Sequence, residues 1–296
     1  MTRKPRWADA WGPPETSTRV RTKTWNQPLA WNRKAEKEGR RCRVFCASLG
    51  DVFEHNAQVA QWRLDLWDLI DATPKLDWLL LTKRPENIMD FVPELWKHGF
   101  WPAHVLPGTS IEDQATADKR IPLLLQIPAP VRFVSAEPLL GPVNAERYMY
   151  DSGYYCWNCG YEPSGNIHKY NLFTCAQCGA VWDGTHYINW VIVGGESGPH
   201  ARPMRPDWAR SLRDQCQNAG VPFFFKQQGE WLPFSEWPNG YHGWTKAYSF
   251  DPSYNGRPDM VRVGKKAAGR LLDGREWNEY PAAVTAPALG AVTGMK

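Results

Sequence analysis

The sequence predicts an α/β protein built as a partial (βα) TIM-like barrel, and three observations carry that prediction. Short, near-continuous apolar runs alternate with helical stretches from residue 42 onward, the pattern of parallel strands buried under helices. Polar residues cluster just past the C-terminal ends of those runs, where βα barrels do their chemistry. No run is followed by a G-x-G-x-x-G turn, which disfavours an open doubly wound sheet.

In chain order, "RVFCAS" (43–48) is a strand, and "NAQVAQWRLDLWDLIDAT" (56–73) a helix with Val59, Trp62, Leu66, Leu69 and Ile70 on one face. "DWLLLT" (77–82) is the second strand, and Pro85 can open a helix over 85–98. "HVLPGTSI" (104–111) comes third, before a helix through "EDQATADKRIPLLLQI" that Pro122 is expected to split. "VRFVSA" (131–136) and "NWVIVGG" (189–195) follow, then a helix over 206–219 closed by Gly220, then "VPFFFKQ" (221–227). The partial barrel therefore comprises 42–142 and 189–227, preceded by an N-terminal segment, 1–41. Residues 143–188 are an insertion, 228–281 form an irregular lid and C-terminal extension, and 282–296 have too little to pack and are expected to be disordered.

At 296 residues the chain can bury a large core. Lys and Arg number 35 against 31 Asp and Glu, a mild excess that permits nucleic-acid contact without arguing for it. Seventeen tryptophans need indole N–H partners wherever they are buried; wedges and lids around the core explain them better than a base-stacking surface. No apolar run reaches the length of a membrane span, and "MTRKPRW" leads into no hydrophobic stretch, so a cytoplasmic protein is expected.

The insertion holds "CWNCGYEPSGNIHKYNLFTCAQCG". Cys156, Cys159, Cys175 and Cys178 have the spacing of a zinc ribbon, and Gly160 and Gly179 follow each pair where the turn favours positive φ. A rubredoxin-like iron site and disulfides are the alternatives. Four thiolates close the coordination sphere, so the expected role is structural zinc. Cys46, in a strand, and Cys216, beside Trp208 and Leu212 on a helix, are expected in the core.

Reading past each strand gives Ser48 and Asp51; Thr82, Lys83 and Arg84; Ser110, Glu112 and Asp113; Ser135 and Glu137; Gly195, Glu196 and Ser197; Lys226 and Gln227. Converging at one mouth, these carboxylates and cations suit a polar ligand with amino, carboxylate and hydroxyl groups. Asp113 and Ser135 also fit ordinary helix-cap and loop roles. Gly194 and Gly195 would let a ligand approach the backbone, and Glu196 would accept from an amino or hydroxyl group. "VGKKAAGR" (263–270) is not a Walker A loop; Lys265, Lys266 and Arg270 suit a basic face.

"RRCRVFCASLGDVFE", "LLLTKRPENI", "TSIEDQATADKRIPLLLQIPAPVRFVSAEPLLGPV", "INWVIVGGESGPHARPM", "WARSLRDQCQNAGVPFFFKQQGEW" and "RVGKKAAGRLLDGREWNEYP" together resemble the bacteriophage three-Cys-motif proteins, a radical-SAM-like family with no settled substrate. The resemblance runs from Trp25 to Pro281. It implies a barrel of the radical-SAM type binding S-adenosylmethionine and a [4Fe–4S] cluster, in the host cytoplasm. By position it implies that Ser48 and Asp51 face the methionyl amino group, and that Ser110, Glu112, Glu137 and Glu196 contact ribose, adenine or substrate. Lys83, Gly194 and Gly195 belong to the same cofactor site. The family's three cluster cysteines would precede "TKTWNQPLAWNRKAEKEG", yet residues 1–41 contain no cysteine. Either the reading frame starts at an internal Met, omitting the first strand and cluster loop, or the cluster was lost and the barrel kept.

The functional expectation is a radical-SAM-like phage protein acting on a nucleotide or nucleic acid. The alternative is a non-enzymatic nucleic-acid- or partner-binding protein on a degenerate barrel. A third reading is a barrel enzyme that uses Glu112 and Glu137 directly.

Overall fold

The computed structural model describes residues 18–46, 50–149, 187–240, 242–251 and 257–282, with the backbone of 173–174 and 181–182. Its strands are β1 (Cys42–Cys46), β2 (Leu76–Thr82), β3 (Val105–Ser110), β4 (Phe133–Ala136), β5 (Phe173–Thr174), β6 (Val181–Trp182), β7 (Trp190–Gly194), β8 (Phe223–Gln227), β9 (Trp231–Pro233), β10 (Lys246–Tyr248) and β11 (Met260–Arg262). The helices are α1 (Gln27–Lys37), α2 (Ala57–Asp71), α3 (Ile88–Phe91), α4 (Glu94–Lys97), α5 (Gln114–Leu125), α6 (Pro206–Ala219) and α7 (Lys265–Ala268).

The six predicted strands form one parallel sheet in the order β1-β2-β3-β4-β7-β8. Strand order follows chain order without reversal, as in a barrel and unlike a doubly wound sheet. Alternate side chains go to opposite faces. Leu76, Trp78, Leu80, Val105, Val134, Val191, Phe223 and Phe225 pack with α1, α2, α5 and α6 in the larger core. Leu79, Leu106, Phe133, Trp190 and Ile192, with half-buried Phe45, Leu81 and Phe224, form a second cluster on the other face.

That second face is concave, and the sheet is a curled half-barrel. In a flat sheet β1 and β8 would stand roughly 24 Å apart, five spacings of about 4.8 Å. Instead the Lys226 ammonium of β8 lies 5.3 Å from the Phe45 ring centroid of β1, and Phe45 lies 6.4 Å from Phe133 of β4. Gly108 permits this layer, since a Cβ there would stand 2.3 Å from the Phe133 ring.

At the N-terminal ends of the strands the half-barrel is sealed by residues 275–282. Phe225 N–H donates to Trp277 C=O and Glu279 N–H to Phe223 C=O, running this segment antiparallel along the free edge of β8. Tyr280 then packs 5.5 Å from Trp190 and 5.4 Å from Phe224, and the Arg43 guanidinium of β1 stacks 3.9 Å over its ring. The buried indoles find partners as the composition requires: Trp78 donates to Thr73 Oγ1, Trp101 to Val105 C=O, Trp190 to Glu279 C=O and Trp231 to Ala201 C=O.

Local signals set the helix ends. Asn56 caps α2 by accepting from Gln58 and Val59 N–H; Asp113 and Thr116 form a capping box on α5; Gly220 ends α6 at φ +67°. Three expectations are corrected. The helix over 85–98 is a 3-10 turn, α3 and α4, because Pro93 forces Val92 into extended backbone. Pro122 does not split α5, whose last turns are held to the sheet by buried Ile121, Leu124 and Leu125. Within 228–281, expected to be irregular, β9, β10 and β11 form an antiparallel sheet in the order β10-β11-β9, anchored by Met260 and Trp231 on Ala201.

Ile188 N–H donates to Tyr148 C=O, so the chain leaves and re-enters the sheet layer at one point around the cysteine-rich stretch. Between them β5 and β6 pair antiparallel. Cys156, Cys159, Cys175 and Cys178 lie outside the described residues, as do Ser48 and 283–296.

Candidate functional site at the mouth of the half-barrel

The C-terminal ends of β1, β2, β3, β4, β7 and β8 carry a series of ion pairs. It begins at Asp51, whose carboxylate accepts from Thr82 Oγ1 at 2.7 Å, Arg84 at 2.8 Å, Phe53 N–H at 3.0 Å and Lys83 N–H at 3.2 Å. A carboxylate offers about four acceptor positions, so Asp51 is fully engaged in tying the loop after β1 to the loop after β2.

Lys83 turns its ammonium to Glu112 beyond β3, whose other oxygen accepts from Arg120 of α5 at 2.8 Å. Arg120 also donates to the C=O of buried Ser110. Glu137, beyond β4, accepts from Ser135 Oγ at 3.0 Å and pairs with Lys226 at 3.1 Å. Glu196, beyond β7, is clamped by Arg202 through the guanidinium, at 2.8 and 2.9 Å, and through its backbone N–H. The Arg202 hydrogen bonds hold the Glu196 carboxyl below its ordinary pKa despite partial burial, and the Lys83 charge adds to the effect. Glu112 in turn helps raise Arg202. Residues from β2, β3 and β7 thus sense one another across the opening.

Three of these pairs set a sheltered carboxylate against a more exposed cation, whereas Arg120, at 17% exposure, is nearly as sheltered as Glu112. Side-chain exposure is 13% for Glu112 against 55% for Lys83, 13% for Glu137 against 47% for Lys226, and 26% for Glu196 against 59% for Arg202. The three carboxylates are the sheltered partners, and the three cations reach them from the solvent side. Beneath them lie half-buried Phe45 and Leu81 of the concave cluster.

The two glycines of β7 serve neighbouring protein groups. A Cβ on Gly194 would stand 2.7 Å from Glu137 Oε1, so this glycine makes room for that carboxylate. A Cβ on Gly195 would stand 2.0 Å from Gln228 C=O, and one on Gly229, at φ +88°, 2.4 Å from Glu196 C=O. The loops after β7 and β8 therefore meet backbone to backbone. Gly195 N–H donates to Gln227 C=O, Gln227 Nε2 to Gly195 C=O, and Glu230 N–H to Glu196 C=O. A register shift at Val193/Gly194 redirects β7 at this point.

Sequence reasoning singled out Asp51, Lys83, Ser110, Glu112, Glu137, Gly194, Gly195 and Glu196, and all lie at this mouth. It missed Arg120, Arg202 and the Gln228–Gly229 turn. Arg120 lies seven residues beyond the cap Asp113, two helical turns along α5, and that spacing was the available signal.

The described cysteines do not suit an iron–sulfur cluster. Cys42 and Cys46 pack toward the helix layer, and burial pushes the Cys46 thiol up to about 12; Cys216 is buried in that same core, its thiol also raised. Among the described residues no three His, Cys, Asp or Glu side chains are grouped to hold a metal ion. Among those residues, too, no helix is long and apolar enough to cross a membrane.

A family model described as a protein of unknown function, DUF5131, matches residues 2–281. No curated protein matches the chain.

Proposed function

Because the chain belongs to the DUF5131 family, whose function is unknown, we propose a function from the mouth itself: it binds S-adenosylmethionine there. The observation that carries this reading is the pairing of sheltered Glu112 and Glu137 with the exposed ammonium groups of Lys83 and Lys226. An amino-acid zwitterion can exchange into such pairs without leaving a buried charge alone. Its ammonium takes the place of a lysine at a glutamate, and the released lysine meets its carboxylate. The half-buried Phe45 and Leu81 offer apolar surface to the nucleoside.

This reading agrees with the resemblance to radical-SAM-like phage proteins, and a nucleotide or nucleic acid as substrate belongs to it. The described cysteines do not fit an iron–sulfur cluster. Structural zinc on Cys156, Cys159, Cys175 and Cys178 is part of the same proposal; the pairing of β5 with β6, which flank Cys175 and Cys178 in sequence, supports it. One zinc per chain by metal analysis is the expected result, and metal-free folded protein would remove it.

Equilibrium dialysis with S-adenosylmethionine, methionine and adenosine tests the ligand. A dissociation constant of roughly 10–100 µM for S-adenosylmethionine, with each fragment at least about tenfold weaker, is expected. Glu137→Gln should weaken binding about tenfold. Failure to retain S-adenosylmethionine at about 1 mM would remove the reading. A non-enzymatic nucleic-acid-binding protein is the second reading, favoured by the exposed aromatic and basic residues around Tyr248.

A further inference from the structure

The small β10-β11-β9 sheet bears on the mouth through the loop that follows β7. Residues 196–202 double back, so that Arg202 reaches the Glu196 carboxylate through its backbone N–H and its guanidinium. The two residues are six positions apart in a loop, so their meeting depends on the path of the backbone between them. Gly198 bends that path at φ +106°, and Ala201 N–H closes it on Gly198 C=O at 3.2 Å.

The bend is held from the small sheet. Arg262 of β11 and Trp231 of β9 are opposed in the ladder and share a face. Their side chains donate to three carbonyls of the loop. Arg262 takes Gly198 C=O at 2.7 Å and Pro199 C=O at 3.0 Å, and Trp231 takes Ala201 C=O at 2.8 Å. Glu230 accepts from Gly198 N–H at 3.1 Å and donates its own N–H to Glu196 C=O at 3.0 Å. Its carboxylate pairs with Arg262 at 3.5 Å, the two side chains being 16% and 17% exposed. The sheltered arginine of the sheet thus sets the shape of the loop, and the exposed arginine within the loop follows it.

We propose that Arg262 is a positioning residue for the mouth: held on the small sheet by Glu230, it bends the 196–202 loop so that Arg202 fixes Glu196 at the rim. This rests on the reading of the mouth as a ligand site, and it makes the small sheet a brace for the rim. An exposed ion pair contributes little because holding two long side chains together costs entropy, and a loop already bent removes part of that cost. The guanidinium fork suits two neighbouring carbonyls, whereas a lysine ammonium is a point charge that keeps the partner Glu230 but cannot span both.

Two measurements on the full chain test this, one with ligand and one without. In equilibrium dialysis, Arg262→Met and Arg202→Met should each weaken S-adenosylmethionine binding about fivefold, with the double variant no weaker than Arg202→Met alone. Independent effects would multiply to about 25-fold, and that result would overturn the proposal. Arg262→Lys, which keeps the charge beside Glu230, should still weaken binding about threefold. Arg210→Met, which removes a cation paired with Asp273 on α6, should leave affinity unchanged. Native affinity in Arg262→Lys, or an equal loss in Arg210→Met, would also overturn it. The second measurement is urea denaturation between pH 7 and pH 3. Arg202 holds the Glu196 carboxyl below its ordinary pKa, so their pair contributes at neutral pH and is lost as pH falls through the lowered value. Replacing Arg202 should therefore remove a pH-dependent part of the stability, and in the Arg262→Met chain it should remove less than roughly half as much. An undiminished pH-dependent loss would overturn the role of Arg262. If the native chain retains no S-adenosylmethionine, the ligand reading fails, while the urea comparison still decides the positioning.

Discussion

The two ends of the half-barrel are closed by different physics. At the N-terminal ends of the strands, Tyr280, Trp190, Phe224 and Arg43 form a stacked plug of rings and one guanidinium. At the C-terminal ends, carboxylates on the scaffold face lysines and an arginine that reach in from solvent. Ring packing is short-ranged and is lost only when the groups separate, so the lower end is built to stay shut. Exposed ion pairs are weak and screened by salt, so the upper end can exchange partners.

The sharpest test of this contrast lies in the floor between the two ends. Phe133 is fully buried between Phe45 and Trp190, in the space left by Gly108. Phe133→Ala should lower unfolding free energy by about 3–5 kcal/mol in urea denaturation. A stability loss under about 1 kcal/mol would show that the concave layer is not a packed core. Next in size is Gly229→Ala, which combines a positive φ with a Cβ 2.4 Å from Glu196 C=O. A loss of about 2–3 kcal/mol is expected, together with weaker ligand binding, since the same contact positions Glu196. Tyr280→Ala should follow at about 1–2 kcal/mol, because the ring is partly exposed and its stacking on Arg43 contributes about 0.5–1 kcal/mol. Thermal unfolding of Arg43→Ala beside Tyr280→Ala and the double variant would reveal the coupling.

How much of this was legible in the sequence follows the range of the interactions. The strands announced themselves because both faces of the sheet are buried, giving runs such as "WLLLT" and "WVIVG". Helix ends at Asp113 and Gly220 rest on neighbours within a few residues, and they too were readable. The rim residues were readable as a set because parallel strands point their C-terminal ends the same way. Their partners were not: the Lys226–Glu137 pair spans 89 residues of chain and forms across β7, where Gly194 leaves room for the carboxylate. The three-residue strands β9, β10 and β11 are too short to show a period. Gly195 suggested an approach path for a ligand, whereas the structure fills that space with Gln228 C=O.

At the exchangeable end, substitutions should separate binding from stability. Lys226→Met should change unfolding free energy by no more than about 0.5 kcal/mol, since nearly half the side chain faces solvent. S-adenosylmethionine affinity should nevertheless fall about tenfold. Parallel losses in both quantities would mean that the upper end is as structural as the lower one.

The smallest effect is electrostatic and concerns Glu196. Its carboxyl is held below the ordinary glutamate value of 4.5, chiefly by hydrogen bonds from Arg202. A depressed folded-state pKa means that the unfolded chain binds the proton more readily. The pair's contribution is therefore complete above pH 4.5 and disappears as pH falls through the lower folded value. With the arginine largely exposed, that contribution amounts to at most about 1 kcal/mol at low salt. Comparing the native chain with Arg202→Met by urea denaturation between pH 7 and pH 3 isolates it. The gap in stability should be constant down to pH 5, then close below pH 4.5, and shrink in about 1 M salt. A gap that persists at pH 3 would show that Arg202 acts through the packing of its stem, and the mouth would then be less free to open than its exposed cations imply.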